Sequence, residues 1–397
     1  MDLLFLCGMF DLIHQDEVIQ KTKTYVEYAA NLWQEKLATG FESTANINSF
    51  KIISAPFLGA YPNAYKDMFF KGFLKKDDSG IHYIQFCNIW GIRNLSRSFN
   101  LKKAVKNFIS LNSENKVIVV YSPHTPLLEA AVYAKSKDSN IKIVLIVPDL
   151  PQYMNLSVGR RNMYDFFKKF DIDKFNRLNK NTDAFVLLTE AMKDILKVQQ
   201  RKYCVIEGLI EHPIKLSDKK TDSKTIVYTG KLNKSFGVMN LVEAFKLIDD
   251  KDLKLIICGS GELVPVIQQQ ATLDVRIKFL GQVSIDEAKA YIQEASVLVN
   301  PRQNNDTYTK YSFPSKIIDY LSSGNAVVAY LLDGMPMCYT NFMYVVPNDS
   351  VFSLKDTIEA ALNAGADEKK EKSEAAAAYL NSMRTPQIAA EQICKLV

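Results

Sequence analysis

The chain has 397 residues, 47% hydrophobic and 23% charged, which makes room for two or three domains and excludes wholesale disorder. A mean hydropathy of −0.09 and the lack of any apolar run of about 18 residues exclude a membrane-spanning helix. The net charge of +5 is uneven: 28 Lys/Arg stand against 21 Asp/Glu through Ile210, and 21 against 23 after it. A basic first half points to an anionic partner, whether membrane surface, nucleic acid or phosphorylated substrate. The apolar start Leu3–Phe10 has no preceding basic segment and is closed by Asp11, so it reads as a buried strand and not a signal peptide. Six scattered cysteines, none in a CxxC or Cys/His spacing, predict core residues with no disulfide framework and no zinc site. A cytoplasmic protein is the default expectation.

Short apolar runs alternate with amphipathic stretches along nearly the whole chain. The first half predicts strands at Leu3–Cys7, Ile52–Ala55, Tyr83–Cys87, Val117–Tyr121, Ile143–Val147 and Ala184–Leu188, with helices such as Leu127–Lys137 and Glu190–Lys197 between them. A polar, Pro213-containing stretch, Glu211–Lys224, reads as a linker. The second half predicts strands at Ile226–Tyr228, Leu255–Cys258, Ile277–Leu280, Val297–Val299, Ala326–Ala329 and Tyr344–Val346, and helices at Val238–Ile248, Leu263–Gln270, Ile285–Glu294 and Ser315–Ser323. Strand–helix alternation of this length predicts an α/β fold of parallel sheets covered on both faces. The expected division is 1–210 as an acceptor-binding domain, 211–224 as linker, 225–375 as a donor-binding domain, and 376–397 as a helical tail packing back on the first domain. Two facing doubly wound domains would hold a ligand at the carboxyl ends of their strands.

The window Asn300–Ala329, NPRQNNDTYTKYSFPSKIIDYLSSGNAVVA, carries most of the chemistry. A strand ends at Asn300, a polar loop follows, and a helix opens near Pro314 and stops at Gly324, the usual punctuation. Free amides around Ser315 and Lys316 in that first turn would bind phosphate. Asp319, one turn along on the same face, would accept both hydroxyls of a ribose. Two further loops join strand to helix through glycines: YTGKLNKSFG at Tyr228–Gly237, with Gly230, Lys231 and Lys234, and CGSGEL at Cys258–Leu263, with Gly259 and Gly261. The lysines would stabilise a departing diphosphate. The second loop lacks the third glycine of the dinucleotide fingerprint.

The segments YTGKLNKSFGVMNLVEAF, ICGSGE, IKFLGQVSIDEAKAYIQEASVLVNP and YSFPSKIIDYLSSGNAVV run in order from Val227 to Ala329 and resemble the donor-binding domain of the family 4 glycosyltransferases, most of all the FPSK-containing group of bacterial polysaccharide assembly. The resemblance implies the GT-B architecture, two Rossmann-like domains facing a central cleft. It implies retaining transfer of a hexosyl group from a UDP- or GDP-sugar to a hydroxyl of a glycan or lipid-linked acceptor, in exopolysaccharide, capsule or O-antigen synthesis, with neither cofactor nor metal. Asp319 matches the second acid of the family's Glu-x7-Glu motif. The first acid falls on Tyr311, so donor-sugar contacts would pass to Asp306 or Thr309 of the same loop. Ser312, Phe313, Pro314, Ser315 and Lys316 form the matching phosphate-binding helix start. Lys231 matches the basic residue after the strand-end glycine. The family's second basic residue directly precedes a glycine, where this chain has Phe236, and Lys234 is the nearest cation. Gly281–Val283 match the loop that meets the nucleobase.

In the first half, YSPHTPLLEAAVYA at Tyr121–Ala134, VPDLPQYMN and FVLLTEAM resemble the same enzymes. His124 matches a histidine that touches the transferred sugar. The family's paired-glycine loop after the first strand is reduced to Gly8. Asp171-Ile172-Asp173 spells a metal-binding DxD but sits inside a helical pattern and is declined. His14, His82 and His212 read as structural. The segment 159–181, with seven Lys/Arg, three Asp and five aromatics, predicts either a packed helix or contact with an anionic membrane at the inner face of the cell membrane. No nucleic-acid recognition module is present. The rivals to a transferase are a nucleotide-sugar epimerase, a phosphorylase, or a non-catalytic glycosyltransferase-like partner subunit.

Overall fold

The computed structural model describes the chain apart from residues 25, 74–79, 152–161, 199, 217–223, 305 and 306, and apart from the side chains of 162–168. The chain forms two compact units, Met1–Leu209 with Pro386–Val397, and Ile210–Thr385.

The first unit is built on β1 (Asp2–Cys7), β2 (Ser49–Ser54), β3 (Ile81–Tyr83), β4 (Lys116–Tyr121), β5 (Lys142–Val147), β6 (Ala184–Leu187) and β7 (Lys202–Val205). They form one parallel sheet in the order β3-β2-β1-β4-β5-β6-β7. Leu3–Cys7 and Ile118–Val120 are wholly buried, because in a doubly wound sheet helices cover both faces of the central strands. The sheet changes direction between β1 and β4, so the loops after these strands frame its switch point, where open α/β sheets bind ligands. The main helices are α1 (Tyr28–Glu42), α2 (Arg93–Ala104), α3 (Thr125–Lys137) and α4 (Asn162–Leu178).

The second unit contains β8 (Thr225–Lys231), β9 (Lys254–Ser260), β10 (Ile277–Gly281), β11 (Val297–Asn300), β12 (Ala326–Ala329) and β13 (Tyr344–Val345), parallel in the order β10-β9-β8-β11-β12-β13. Its switch point lies between β8 and β11. The helices are α5 (Val238–Lys246), α6 (Val264–Leu273), α7 (Ile285–Glu294), α8 (Lys316–Ser322), α9 (Val351–Asn363) and α10 (Ala366–Met383). The Ser284–Glu287 capping box opens α7, two reciprocal bonds that satisfy amides the helix cannot.

Several expectations are corrected. The strand expected over Tyr83–Cys87 is split: Ile81–Tyr83 joins the sheet, while Phe86–Cys87 pairs antiparallel with Phe69–Phe70. The helix expected over Glu190–Lys197 shrinks to Met192–Ile195. Residues 211–216 belong to the second unit, because the Asn381 side chain bonds both the N–H and the carbonyl of Ile214, at 2.7 and 3.0 Å. The helix over 366–383 runs straight through position 376, so the tail divides at Pro386. All six cysteines are free, but only Cys7, Cys258 and Cys394 are buried. The end of α4 is tied down: the Thr125 hydroxyl donates to Asp171 at 2.6 Å, Lys174 pairs with Glu129 at 2.5 Å, and Phe175 is buried, while Phe170 is exposed. The DxD acid is thus engaged with α3. Among the described residues no helix is long and apolar enough to cross a membrane.

The helix Pro386–Cys394 closes the first unit by packing on α1. A Cβ on Gly40 would collide with the Pro386 carbonyl. Alanine at Gly40 should gain about 1 kcal/mol of helix propensity yet cost roughly 1–3 kcal/mol in overpacking. Because the obstacle is backbone, we expect a net loss. A lowered melting temperature for Gly40→Ala, read by circular dichroism, is the expected result; a raised one would refute this contact.

Candidate active site

The second unit assembles most of the expected site residues along the carboxyl edge of its sheet. β8 ends in Gly230-Lys231, and the loop to α5 passes through Lys234 to Gly237, which has φ +72°. A Cβ on Gly237 would strike the Pro301 carbonyl, and one on Gly259 the Gly230 carbonyl. These close backbone approaches, added to positive φ, admit only glycine. The loops are also cross-bonded: Leu232 N–H donates to the Ser260 carbonyl, Leu263 N–H to the Leu232 carbonyl, both at 2.9 Å, and Lys234 N–H to the Glu262 carboxylate at 3.0 Å. Gly259 and Gly261 are therefore accounted for first by packing. Lys231 and Lys234 extend from this knot as exposed side chains. Gly281 ends β10 at φ +72°, in register with Cys258 and facing open space.

The loop after β11 returns to the same edge. Lys316 opens α8, whose two turns are shorter than the sequence predicted. Ile317 and Ile318 N–H already donate to the Pro314 and Ser315 carbonyls, at 2.9 and 3.1 Å. The N–H groups of Ser315 and Lys316 meet no acceptor among the described residues. Asp319 is exposed one turn along. Its neighbour Tyr320 is wholly buried and accepts the Thr229 N–H at 2.9 Å, which pins α8 to the end of β8; burial pushes its phenol up to about 12. Phe313 is buried against Tyr339, with ring centroids 5.3 Å apart, so it is a packing residue. Thr309 is buried at 2% exposure and its side chain is not offered to a ligand from solvent. Tyr311, Ser312 and Pro314 are half-buried, and Asp306 lies outside the described residues.

Arg302 escaped the sequence reading, where it is one cation after Pro301. It is buried, donates to the Ser312 hydroxyl at 2.9 Å, and lies over the rings of Phe236 and Tyr308 at 5.4 and 5.2 Å. It thereby joins the loop after β8 to the loop after β11.

In the first unit the corresponding edge is built differently. Gly8 N–H donates to Gln34 and Phe10 N–H to Asn31, both at 2.8 Å. The amides of the loop after β1 are thus occupied by α1 side chains. After β4, Ser122 takes the left-handed conformation, φ +76°, costly for a non-glycine residue, and His124 follows as the cap of α3. Its ring stands 5.4 Å from Phe57, and its Nδ1 is buried without a partner among the described residues. Burial, then Arg97 and Arg93, hold this imidazole well below its ordinary range, so it is neutral at pH 7. His14, read as structural, is fully buried and bonds Asp11 at 2.6 Å, stacked on Phe73; only a three-residue spacing to Asp11 signalled this.

Two predictions follow from this geometry. Tyr320→Phe leaves the buried Thr229 N–H without its acceptor and should cost about 1–3 kcal/mol, seen as a lower urea midpoint at unchanged slope; an unchanged midpoint would show that the hydroxyl does not pin α8. Glu35, beside Asn31, has its carboxyl pushed up to about 7, chiefly by burial. Its folded value lies above the unfolded one, so the native state holds more protons between them and stability falls as pH rises through that window. In Glu35→Gln the loss of stability from about pH 5 to about pH 8 should be smaller than in wild type; an equal loss would remove Glu35 as its source.

Residues 223–364 match the family described as Glycosyl transferases group 1. No curated protein matches the chain by sequence. Among solved structures it is similar to a TarM mutant of S. aureus in complex with fondaparinux, alpha-GlcNAc-glycerol and UDP (TM-score 0.55, 13% identity, 79% of this chain), spanning 59% of that protein's length. It is also similar to sucrose-phosphate synthase from Thermosynechococcus elongatus (TM-score 0.66, 14% identity, 100% of this chain and 98% of that one). A third is HepE of Anabaena in complex with UDP (TM-score 0.61, 13% identity, 100% and 99%). Likeness at these identities establishes the GT-B fold. The chain thus has the GT-B fold, and residues 223–364 match the family of group 1 glycosyl transferases.

Proposed function

We propose that the enzyme moves a hexosyl group from a UDP- or GDP-sugar to a hydroxyl of a glycan or lipid-linked acceptor, with retention, in assembly of a bacterial surface polysaccharide. The observation that carries this reading is the meeting, at one sheet edge, of the Lys231–Lys234 loop, the amides of Ser315 and Lys316, unpaired among the described residues, and the exposed carboxylate of Asp319. Phosphate on those amides and ribose hydroxyls on Asp319 are one helical turn apart, the separation a nucleoside diphosphate spans. Because α8 has only seven residues, its amides matter more than its dipole. The TarM and HepE structures named above hold UDP, and HepE is also known with UDP and glucose.

As the bond between sugar and phosphate breaks, positive charge grows on the sugar and negative charge on the diphosphate. Lys231, Lys234 and the Ser315 and Lys316 amides stabilise the latter without a metal. A phosphate oxygen of the leaving group takes the acceptor proton, so no protein base is needed. The neutral His124 bonds a sugar hydroxyl. Gly281 and the residues after it meet the base. Contact with an anionic membrane surface through 159–181, with Phe170 exposed on that helix, belongs to the same proposal.

Thermal stabilisation by UDP, GDP and ADP tests the donor site. At 100 times Kd a ligand adds about 2.7 kcal/mol, or roughly 2–4 °C. One nucleotide should stabilise the wild type and do so less in Asp319→Ala. Stabilisation by none would favour a non-catalytic partner subunit, the reading to which Tyr311, in place of the first acid, lends support. Conversion of donor with no acceptor present would instead indicate an epimerase, and a requirement for inorganic phosphate a phosphorylase.

A further inference from the structure

On one face of α2, Arg93 and Arg97 stand one turn apart. Arg97 Nη2 donates to the Pro56 carbonyl at 2.6 Å and Arg93 Nη1 to the Leu58 carbonyl at 3.0 Å. Between these carbonyls lies Phe57, whose ring is 5.4 Å from His124. Two guanidiniums and an imidazole therefore surround one short segment of the loop after β2, next to the β1–β4 switch point. Arg97 is 1% exposed, with its guanidinium 4.2 Å from the centre of the Phe86 ring, and its Nε has no partner among the described residues. His124 Nδ1 is likewise buried and unpartnered among those residues. Arg93 and His124 are only half-buried, which leaves the cluster reachable from solvent.

Neither arginine has a carboxylate partner among the described residues. The acids nearby are engaged: Glu129 takes Lys102, Lys174 and Ser98, and Asp171 takes Thr125. A neutral amide would suffice to hold a loop carbonyl. Two like charges in a poorly solvated place raise the cost without improving that hold, and burial lowers the affinity of both guanidiniums for their protons, with Arg93 adding to the effect on Arg97. Among the described residues, what they lack is a counter-charge.

We propose that the first unit binds a phosphoryl group of the acceptor at Arg93 and Arg97, beside His124. A phosphate monoester carries about −1.5 to −2 at neutral pH, which balances two guanidiniums where a carboxylate balances one. Its tetrahedral oxygens suit the forked donors of arginine. The assignment rests on the reading of this unit as the acceptor side.

Calorimetric titration of the full chain with inorganic phosphate, in the presence of saturating UDP, tests the site. One binding event is expected, weakened at least about tenfold by Arg93→Gln, unchanged by Lys231→Ala, and partly restored in Arg93→Lys. Arg93 is the position to vary because the buried Arg97 also holds the fold. No binding in wild type, or equal binding in Arg93→Gln, would leave the pair as loop clamps and overturn the proposal; loss in Lys231→Ala alone would move the phosphate to the second unit and overturn it too. If UDP itself does not bind, the donor reading fails, while the same titration without UDP still reports on the first unit through Arg93→Gln. Competition then separates the sources. Displacement by glycerol phosphate indicates a soluble phosphorylated acceptor, and displacement only by phosphatidylcholine vesicles containing phosphatidic acid indicates a lipid-borne one. Competition by neither means an adventitious ion only and overturns the acceptor assignment.

Discussion

Backbone meeting backbone at the carboxyl edge of the second sheet governs the geometry of the candidate donor site. Gly259 faces the Gly230 carbonyl and Gly237 the Pro301 carbonyl, with no room for a side chain between them. Adjacent parallel strands deliver their loops to the same edge at the strand spacing, so loops that turn towards one another either exclude side chains or splay. Here they do not splay. Lys231 and Lys234 consequently leave from a rigid knot, and the loop after β11 is locked to it through Arg302 and through Tyr320 on Thr229. A cationic loop and two amides held by such short links would need little reorganisation around the diphosphate of the proposed donor, the preorganisation that makes charge stabilisation effective.

The two units use the same doubly wound plan with opposite treatment of their loop amides. In the second, the amides of Ser315 and Lys316 meet no acceptor among the described residues. In the first, Gln34 and Asn31 fill the amides after β1, and the Phe57 ring occupies the space where a side chain on Gly8 would go. With its backbone donors consumed, the first unit presents positive charge through the side chains of Arg93 and Arg97 instead. The uneven charge of the sequence thus has a local counterpart, although most of the basic residues of that half lie elsewhere.

Much of the architecture was legible from periodicity. Strands buried on both faces, such as Val117–Tyr121 and Ile143–Val147, appear in sequence as unbroken apolar runs, and the expected and observed bounds nearly coincide. Lys202–Val205 was missed because an edge strand is half-exposed and its sequence, KYCV, lacks such a run. Tyr83–Cys87 misled because a single β-rich stretch serves two sheets. The tail boundary was displaced because composition changes near Ala366, whereas the chain leaves the second unit only at Pro386.

By itself the sequence determined the alternation of strand and helix, the glycine-bearing loops, the Pro314–Gly324 punctuation and the placing of Asp319 one turn after Ser315. All of these are local: they depend on spacing along a few residues, which propensity and chirality translate directly into backbone. The tertiary structure alone decided that Phe313 and Thr309 turn inward, that Arg302 and Tyr320 hold the loops together, and that Arg93, Arg97 and His124 gather around Pro56–Leu58. Those partners are far apart in the chain or hidden among ordinary residues. Which of them meet depends on sheet order and loop packing, quantities to which no local pattern gives access.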